Sequence, residues 1–189
     1  MNRTSYVLPP STLVFGPGEP LDSVFRVESG LVKVTRTLDG SKPDVRLVRP
    51  GEVFDERALL QEGYVSDSFA MSVGECALKV LSAASLRKNG GIWRQIAVQA
   101  IRRAEEAELR ARLMADRSAG QRMAHMLADL ADQCNLDGLV PLSRTELAAI
   151  AGTARETTST VISRLARRGL VEAGRGHVRV ISPRRLRDM

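Results

Sequence analysis

The chain is poor in the residues on which most metal, redox and membrane chemistry depends. Among its 189 residues are two histidines and two cysteines. The histidines are His125 and His177, so residues 1 to 116 contain no imidazole. That argues against a metal-dependent enzyme of the β-barrel type, which draws histidine ligands from inside the barrel. No metal or other cofactor is expected. Cys76 and Cys134 are far apart and share no metal-type spacing, as expected of buried free thiols in a reducing compartment. No apolar run approaches a membrane span, and MNRTSYVLPP lacks the apolar core of a signal peptide. The expectation is a soluble, cytoplasmic protein with no membrane partner. What remains is 43% apolar residues, enough for a real core, and 26% charged ones, too balanced for disorder.

The charge is unevenly placed. The formal net charge is +6, and Val140–Met189 holds 10 arginines against four acids, Glu146, Glu156, Glu172 and Asp188. All the net positive charge therefore lies in the last quarter. Attraction to a phosphate backbone accounts for such a localised excess.

Within that quarter, Leu142–Glu172 reads as two short helices and a tight turn. Ser143 with Glu146 forms a capping box, and Gly152 in AGTA marks the bend. A second helix is predicted from Thr153 or Ala154 to Arg168, ended by Gly169. At about 100° per residue, Thr158, Val161, Ile162 and Leu165 share one face. Arg155, Glu156, Ser159, Thr160, Ser163 and Arg167 gather opposite. A helical hairpin with a solvated polar face would show this pattern. So would a helix-turn-helix, whose second helix enters the DNA major groove. The basic charge favours the latter. Leu170–Ala173 and Val178–Ile181 then read as a hairpin wing with Arg175 and His177 at its tip.

Before this lies a β-rich segment. The first ten or so residues look irregular. Short strands are predicted at Leu13–Phe15, Val24–Val27, Leu31–Thr37, Val45–Val48, Asp67–Val73 and Cys76–Leu81. Gly and Pro fall between them, and Asp39-Gly40 is a hairpin signal. This spacing argues for a sandwich or barrel.

A long helix follows, from Gly91 to about Met114. Trp93, Ala97, Ala100, Ala104, Ala107, Ala111 and Met114 hold a 4-3 spacing for three heptads. Over roughly 35 Å, such a small-residue seam suits a dimer spine, or close packing within one subunit. Ile101, Leu109 and Leu113 form a second stripe that could face the β domain. Asp116 or Ser118 caps a further helix reaching about Cys134, whose Met123, Met126, Leu127 and Leu130 face a core. Asn135–Pro141 reads as a linker.

In this order the elements resemble the cyclic-AMP receptor protein superfamily of bacterial transcription regulators. SGLVKV (29–34), PGEVFDERALL (50–60) and LSRTELAAIAGTARETT (142–158) carry the resemblance. It implies an α+β fold in three parts. They are a β-roll of double-stranded β-helix or jelly-roll type (1–90), a dimerisation helix (91–116) and a winged helix-turn-helix (117–189). It also implies a homodimer on palindromic double-stranded promoter DNA, in contact with RNA polymerase. In relatives whose recognition helix starts with arginine and glutamate, these read a guanine and a cytosine; here they are Arg155 and Glu156. Arginine can fork onto guanine O6 and N7, and a carboxylate can accept from cytosine N4. Those relatives carry another arginine where this chain has Thr160, so the half-site is expected to differ there. Ser143, Arg144, Thr157 and His177 match phosphate-contacting positions, which orient without reading sequence.

The effector pocket departs from the family pattern. Cyclic-nucleotide-binding members have FGE in the turn and a later Arg-Ser or Arg-Thr pair on the cyclic phosphate. Here stand Phe54-Asp55-Glu56 and Ser66-Asp67, while the Thr-Ser pair from the long helix falls at Ala107-Glu108. The sequence therefore predicts two carboxylates facing a phosphate with no arginine to balance them, and regulation without cyclic AMP. Gating by another small molecule in the β-roll is the alternative. Two cysteines are too few for the iron–sulfur cluster of some family branches, and no β-roll histidine could ligate haem.

Overall fold

The computed structural model describes residues 4–37, 43–88, 91–115 and 118–189. Within these, the side chains of Thr4, Leu109, Arg110 and residues 113–115 are outside the description. Two compact units emerge, one built on the chain before residue 41 with Arg46–Ala107, the other on Glu108–Met189.

The first unit is an antiparallel β structure. Its strands are β1 (Thr4–Leu8), β2 (Leu13–Phe15), β3 (Ser23–Arg36), β4 (Asp44–Val48), β5 (Val53–Phe54) and β6 (Ser68–Ser82). The spatial order is β1-β6-β3-β4, with β2 also on β6 and β5 also on β3. The predicted Val24–Val27 and Leu31–Thr37 strands are one continuous strand, as are Asp67–Val73 and Cys76–Leu81. Pairing of β3 with β6 runs from Ser23↔Ser82 to Arg36↔Ser68 and shifts register around Ser29. Gly30 is what lets the ribbon bend there without breaking. It has φ +74°, and a Cβ would collide with the Glu75 carbonyl oxygen and Cys76 Cα. The irregular N-terminus expected from sequence is instead strand β1, paired from Thr4↔Val80 to Leu8↔Cys76. Short polar stretches with a proline pair hide an edge strand well, because their order comes from a distant partner. Asp39-Gly40 lies outside the described residues.

Two apolar clusters organise this unit. Phe15, Phe25 and Phe54 meet with ring centroids 5.3–6.1 Å apart, among Val27, Val32, Val48, Ala70, Cys76 and Leu78. A second cluster joins Val24, Val53, Ala58, Leu59, Tyr64 and Ala83. Two short helices that sequence reading missed, α1 (Arg57–Leu60) and α2 (Ala83–Arg87), flank it. The Arg87 guanidinium donates to the Leu59 and Ala58 carbonyls at 3.1 and 2.8 Å, closing the end of α1.

Helix α3 (Gly91–Ala115) has the predicted extent. Ile92, Trp93 and Ile96 pack on the second cluster. Trp93, assigned from sequence to the dimer seam, is thus half-buried against its own β unit, because its indole is large enough to bridge to that core. Ala97, Ala100, Ala104, Ala107 and Ala111 are exposed, and the Met114 side chain is outside the description. Of the second stripe, the Leu109 and Leu113 side chains are outside the description and Ile101 departs from expectation. Ile101 is 58% exposed, and the polar Gln99 is buried in its place.

The second unit begins with α4 (Ala119–Cys134), started by a Ser118–Gln121 capping box and ended by Asn135 at φ 50°. Asp116 lies outside the described residues. Then come β7 (Leu139–Val140), α5 (Arg144–Ile150), α6 (Arg155–Arg167), β8 (Val171–Ala173), β9 (Val178–Val180) and α7 (Pro183–Arg187). Part of the expected linker, Leu139–Val140, is a third strand in the sheet β7-β9-β8. Met123, Met126, Leu127 and Leu130 of α4 are buried, as are Val161, Ile162 and Leu165 of α6. Helix α7 was not anticipated. Its fully buried Leu186 inserts into the core, and Arg187 pairs with Asp129 and Asp132 of α4.

Candidate nucleic-acid interface and the effector-type pocket

Helices α5 and α6 form the expected pair. Ser143 caps α5: its hydroxyl accepts from the Glu146 N–H at 3.3 Å, and the Glu146 carboxylate accepts from the Ser143 N–H at 2.7 Å. Gly152 turns the chain at φ 60°. Helix α6 starts differently, with Ala154 at its N-cap, a residue whose side chain makes no capping hydrogen bond. Thr158, Val161, Ile162 and Leu165 are buried. Arg155, Glu156, Thr157, Thr160, Ser163 and Arg167 are exposed, and Ser159 is half-buried.

Two details refine the sequence assignments. The Ser159 and Thr160 hydroxyls donate to the carbonyls of Arg155 and Glu156, both at 3.0 Å. Their protons are committed to the helix, so toward a base edge they present acceptor oxygens and, for Thr160, a methyl group. Arg144 is half-buried, and its Nη1 donates to the Gly174 carbonyl at 2.9 Å. It ties the wing to α5, a role that spacing could not reveal. The wing turn brings Arg175 and His177 to the exposed tip, with the Gly174 N–H donating to the His177 carbonyl at 3.1 Å. A Cβ at Gly174 would meet the His177 ring, so a larger residue there would have to turn that exposed side chain aside.

In the β unit, the residues predicted to line a degenerate pocket are largely engaged with one another. Asp55 holds the left-handed conformation, φ 61°, where the family has glycine. One of its carboxylate oxygens is buried without a hydrogen-bond partner. Burial pushes the carboxyl up to about 6, helped by the nearby charges of Glu56 and Asp67 and opposed by the Tyr64 hydroxyl.

For Asp67, the expectation that no arginine balances the acids is overturned. Asp67 Oδ2 receives Arg57 Nη1 at 2.8 Å and Arg36 Nη1 at 3.3 Å. The Ser68 hydroxyl donates to Oδ1 at 2.9 Å. Burial pushes Asp67 up, but these donors together outweigh it and hold the carboxyl below its usual range. Glu56 is held by Arg103 and, at 3.1 Å, by the Gln99 amide, with Arg46 at 3.9 Å. Gln99 also bonds both backbone groups of Val53, accepting from its N–H at 2.8 Å. These arginines come from β3, β4, α1 and α3, so no local motif announces them. Ser66 is buried, its hydroxyl exchanging hydrogen bonds with the Ser68 backbone. Ala107 and Glu108 are exposed; the α3 side chains that bond the turn are Gln99 and Arg103, missed in sequence.

An antiparallel β unit with a long helix, joined to a winged helix-turn-helix, defines an effector-type transcription regulator. Family models agree: a cyclic nucleotide-binding domain matches residues 7–88 and a Crp-like helix-turn-helix domain matches residues 121–189. The cyclic AMP receptor protein of Thermus thermophilus is 37% identical over 172 residues, covering 88% of this chain and 79% of that protein. The transcriptional regulator SdrP of the same organism is 31% identical, covering 92% of this chain and 86% of the other. The chain belongs to the cyclic-AMP receptor protein (Crp/FNR) superfamily of transcription regulators. Among solved structures, a CRP/FNR-family regulator from Thermus thermophilus superposes with TM-score 0.76 at 26% identity, covering 98% and 99% of the two chains. CLP, a c-di-GMP-responsive global regulator of Xanthomonas campestris, gives 0.73 at 25% identity, covering 95% and 94%.

Proposed function

We propose that the chain is a homodimeric, sequence-specific regulator that binds palindromic promoter DNA in the cytoplasm without cyclic AMP. The observation that carries the DNA reading is α6. Its apolar face is buried, and Arg155 and Glu156 are exposed in its first turn. Arg155, Glu156, Ser159 and Thr160 read bases in this assignment. Ser143, Thr157, Ser163, Arg167, Arg175 and His177 meet phosphates, with Arg144 bracing the wing that carries the last two. The exposed alanines of α3 supply the dimer seam, which fixes the spacing of two half-sites. In this reading residues 1–90 are the effector-type domain, 91–116 the dimer helix and 117–189 the DNA-binding domain, and RNA polymerase is the partner at the promoter.

Independence from cyclic nucleotide is supported by the pocket's charges. Asp67 already takes two arginines, and Glu56 is already bound by α3. A cyclic phosphate entering here would have to displace the chain's own carboxylate from its arginines. Selection from a random DNA pool, with and without millimolar cyclic AMP, tests both parts. The same palindrome should be enriched in both arms. Enrichment only with the nucleotide would refute independence, and no enrichment in either arm would refute sequence-specific binding.

A second reading is gating by a different small molecule. It draws support from the responsiveness to c-di-GMP stated for CLP, a relative of similar fold.

A further inference from the structure

The flank of α3 opposite the alanine seam carries a cleft that none of the roles above uses. At about 100° per residue, the seam alanines lie within roughly 40° of Trp93 around the helix. Arg94, Val98 and Arg102 lie roughly 100–180° away by the same count. Dimerisation along the seam therefore leaves Val98 and Arg102 uncovered, with Arg94 at the edge of the contact.

The cleft encloses about 630 Å³ between α3 and the Arg49–Glu52 turn, within the size range of small-molecule sites. Its two walls are tied together. Gln95 Nε2 donates to the Gly51 carbonyl at 2.9 Å, and Arg49 bridges Glu52 at 2.8 Å and Glu106 at 3.5 Å. Four arginines line it: 49, 94, 102 and 103. Arg49 and Arg103 are engaged by carboxylates. Arg94 and Arg102 are exposed and form no ion pair among the described residues. Between these two along the helix sits Val98, a 41% exposed apolar side chain, with Pro50 on the turn lining the same cleft.

We propose that this cleft binds a nucleoside polyphosphate, its phosphates on Arg94 and Arg102 and its base over Val98 and Pro50. Guanidinium forks match phosphate oxygens in geometry and charge. Eight residues of helix set the two arginines about 12 Å apart along the axis, so their long side chains can close on one phosphate chain. The apolar centre is of no use to a bare anion but suits the face of a purine. Glu52 and Glu106 repel a bare anion, and they can accept from the exocyclic amino group of a base. The site lies wholly within the β unit, so it does not depend on the assignment of α6 to DNA.

The test is titration of the full-length protein with ATP. Equilibrium dialysis is the primary measurement, with fluorescence of Trp93, the single tryptophan and the neighbour of Arg94, as the local reporter. We expect saturable binding, weakened at least tenfold by Arg94→Ala and by Arg102→Ala and unchanged by Arg155→Ala. Both cleft residues are surface side chains, and a thermal melt of each variant confirms that it folds. Pyrophosphate should bind at least tenfold more weakly than ATP. Three results would overturn the proposal. ATP binding insensitive to both cleft variants would remove the site, and loss with Arg155→Ala would place the phosphates on α6. Equal affinity for pyrophosphate would leave only a bare anion site.

Discussion

Arg57 Nη1 meets Asp67 Oδ2 at 2.8 Å, and Arg36 reaches the same oxygen from β3 at 3.3 Å. The resemblance aligns this carboxylate with the phosphate-side hydroxyl of cyclic-nucleotide-binding members, and in the proposed reading it fills with protein charge what a ligand's phosphate would otherwise neutralise. A consequence concerns Asp67→Ser. The pair is half-exposed, so its loss should change stability by no more than about 1 kcal/mol. It should instead free two guanidinium groups and create affinity for cyclic AMP. A folded-state ligand at 100 times its Kd adds about 2.7 kcal/mol, and each kcal/mol raises Tm by roughly 2–4 °C for a chain this size. Thermal melts with millimolar cyclic AMP should show a shift for the variant and none for the parent. A shift in the parent would count against the self-filled pocket.

Asp55 makes stability depend on pH. Its carboxyl is raised to about 6 in the folded protein from an ordinary value of 3.8. Between those values the folded state holds the proton more tightly than the unfolded one, so this group's contribution falls as pH rises from about 4 to 6 and then levels off. Asn tolerates the left-handed backbone, keeps the shape and carries no charge. Asp55→Asn should therefore be more stable than the parent by about 1–2 kcal/mol at pH 7.5, with the difference vanishing near pH 4. Urea melts at both pH values decide it. A difference independent of pH would show that the charge is not the cause.

The recognition helix and the wing brace should fail in different ways. Arg155→Ala should cost roughly 1–3 kcal/mol on the selected palindrome and relax one base position per half-site. Arg144→Ala removes the hydrogen bond to Gly174, so it should weaken binding to selected and random DNA alike and lower Tm. Binding curves on both DNAs over a salt series separate the two. Equal losses on both DNAs for Arg155→Ala would contradict base readout.

The exposed alanine seam gives the assembly test. Ala104→Glu sets like charges against each other in a desolvated contact if two α3 helices meet there. Sedimentation should show monomer, and affinity for the palindrome should collapse as the two half-sites lose their linkage. A dimer that survives the substitution would move the interface elsewhere.

Sequence by itself determined the elements whose order is local. The Ser143–Glu146 capping box, the face made by Val161, Ile162 and Leu165, and the extent of α3 follow from side-chain type and helical period, since caps and periodicity act within a turn or two. The exposed start of α6 was legible for the same reason. Tertiary structure alone decided what depends on partners distant along the chain. Strand β1 exists because β6 pairs with it, and α7 because Leu186 is buried in the second unit's core. Trp93 turned to its own subunit because a cluster of β and α2 residues lay within reach. The pocket depended most on the fold. From sequence, Asp55 and Asp67 were two acids with no arginine to balance them. Arg36, Arg46, Arg57 and Arg103 reach Glu56 and Asp67 from four different elements, while Asp55 Oδ2 is left buried and unpartnered. An ion pair carries no sequence period, and its charge is assigned a partner only when the backbone brings the two side chains together.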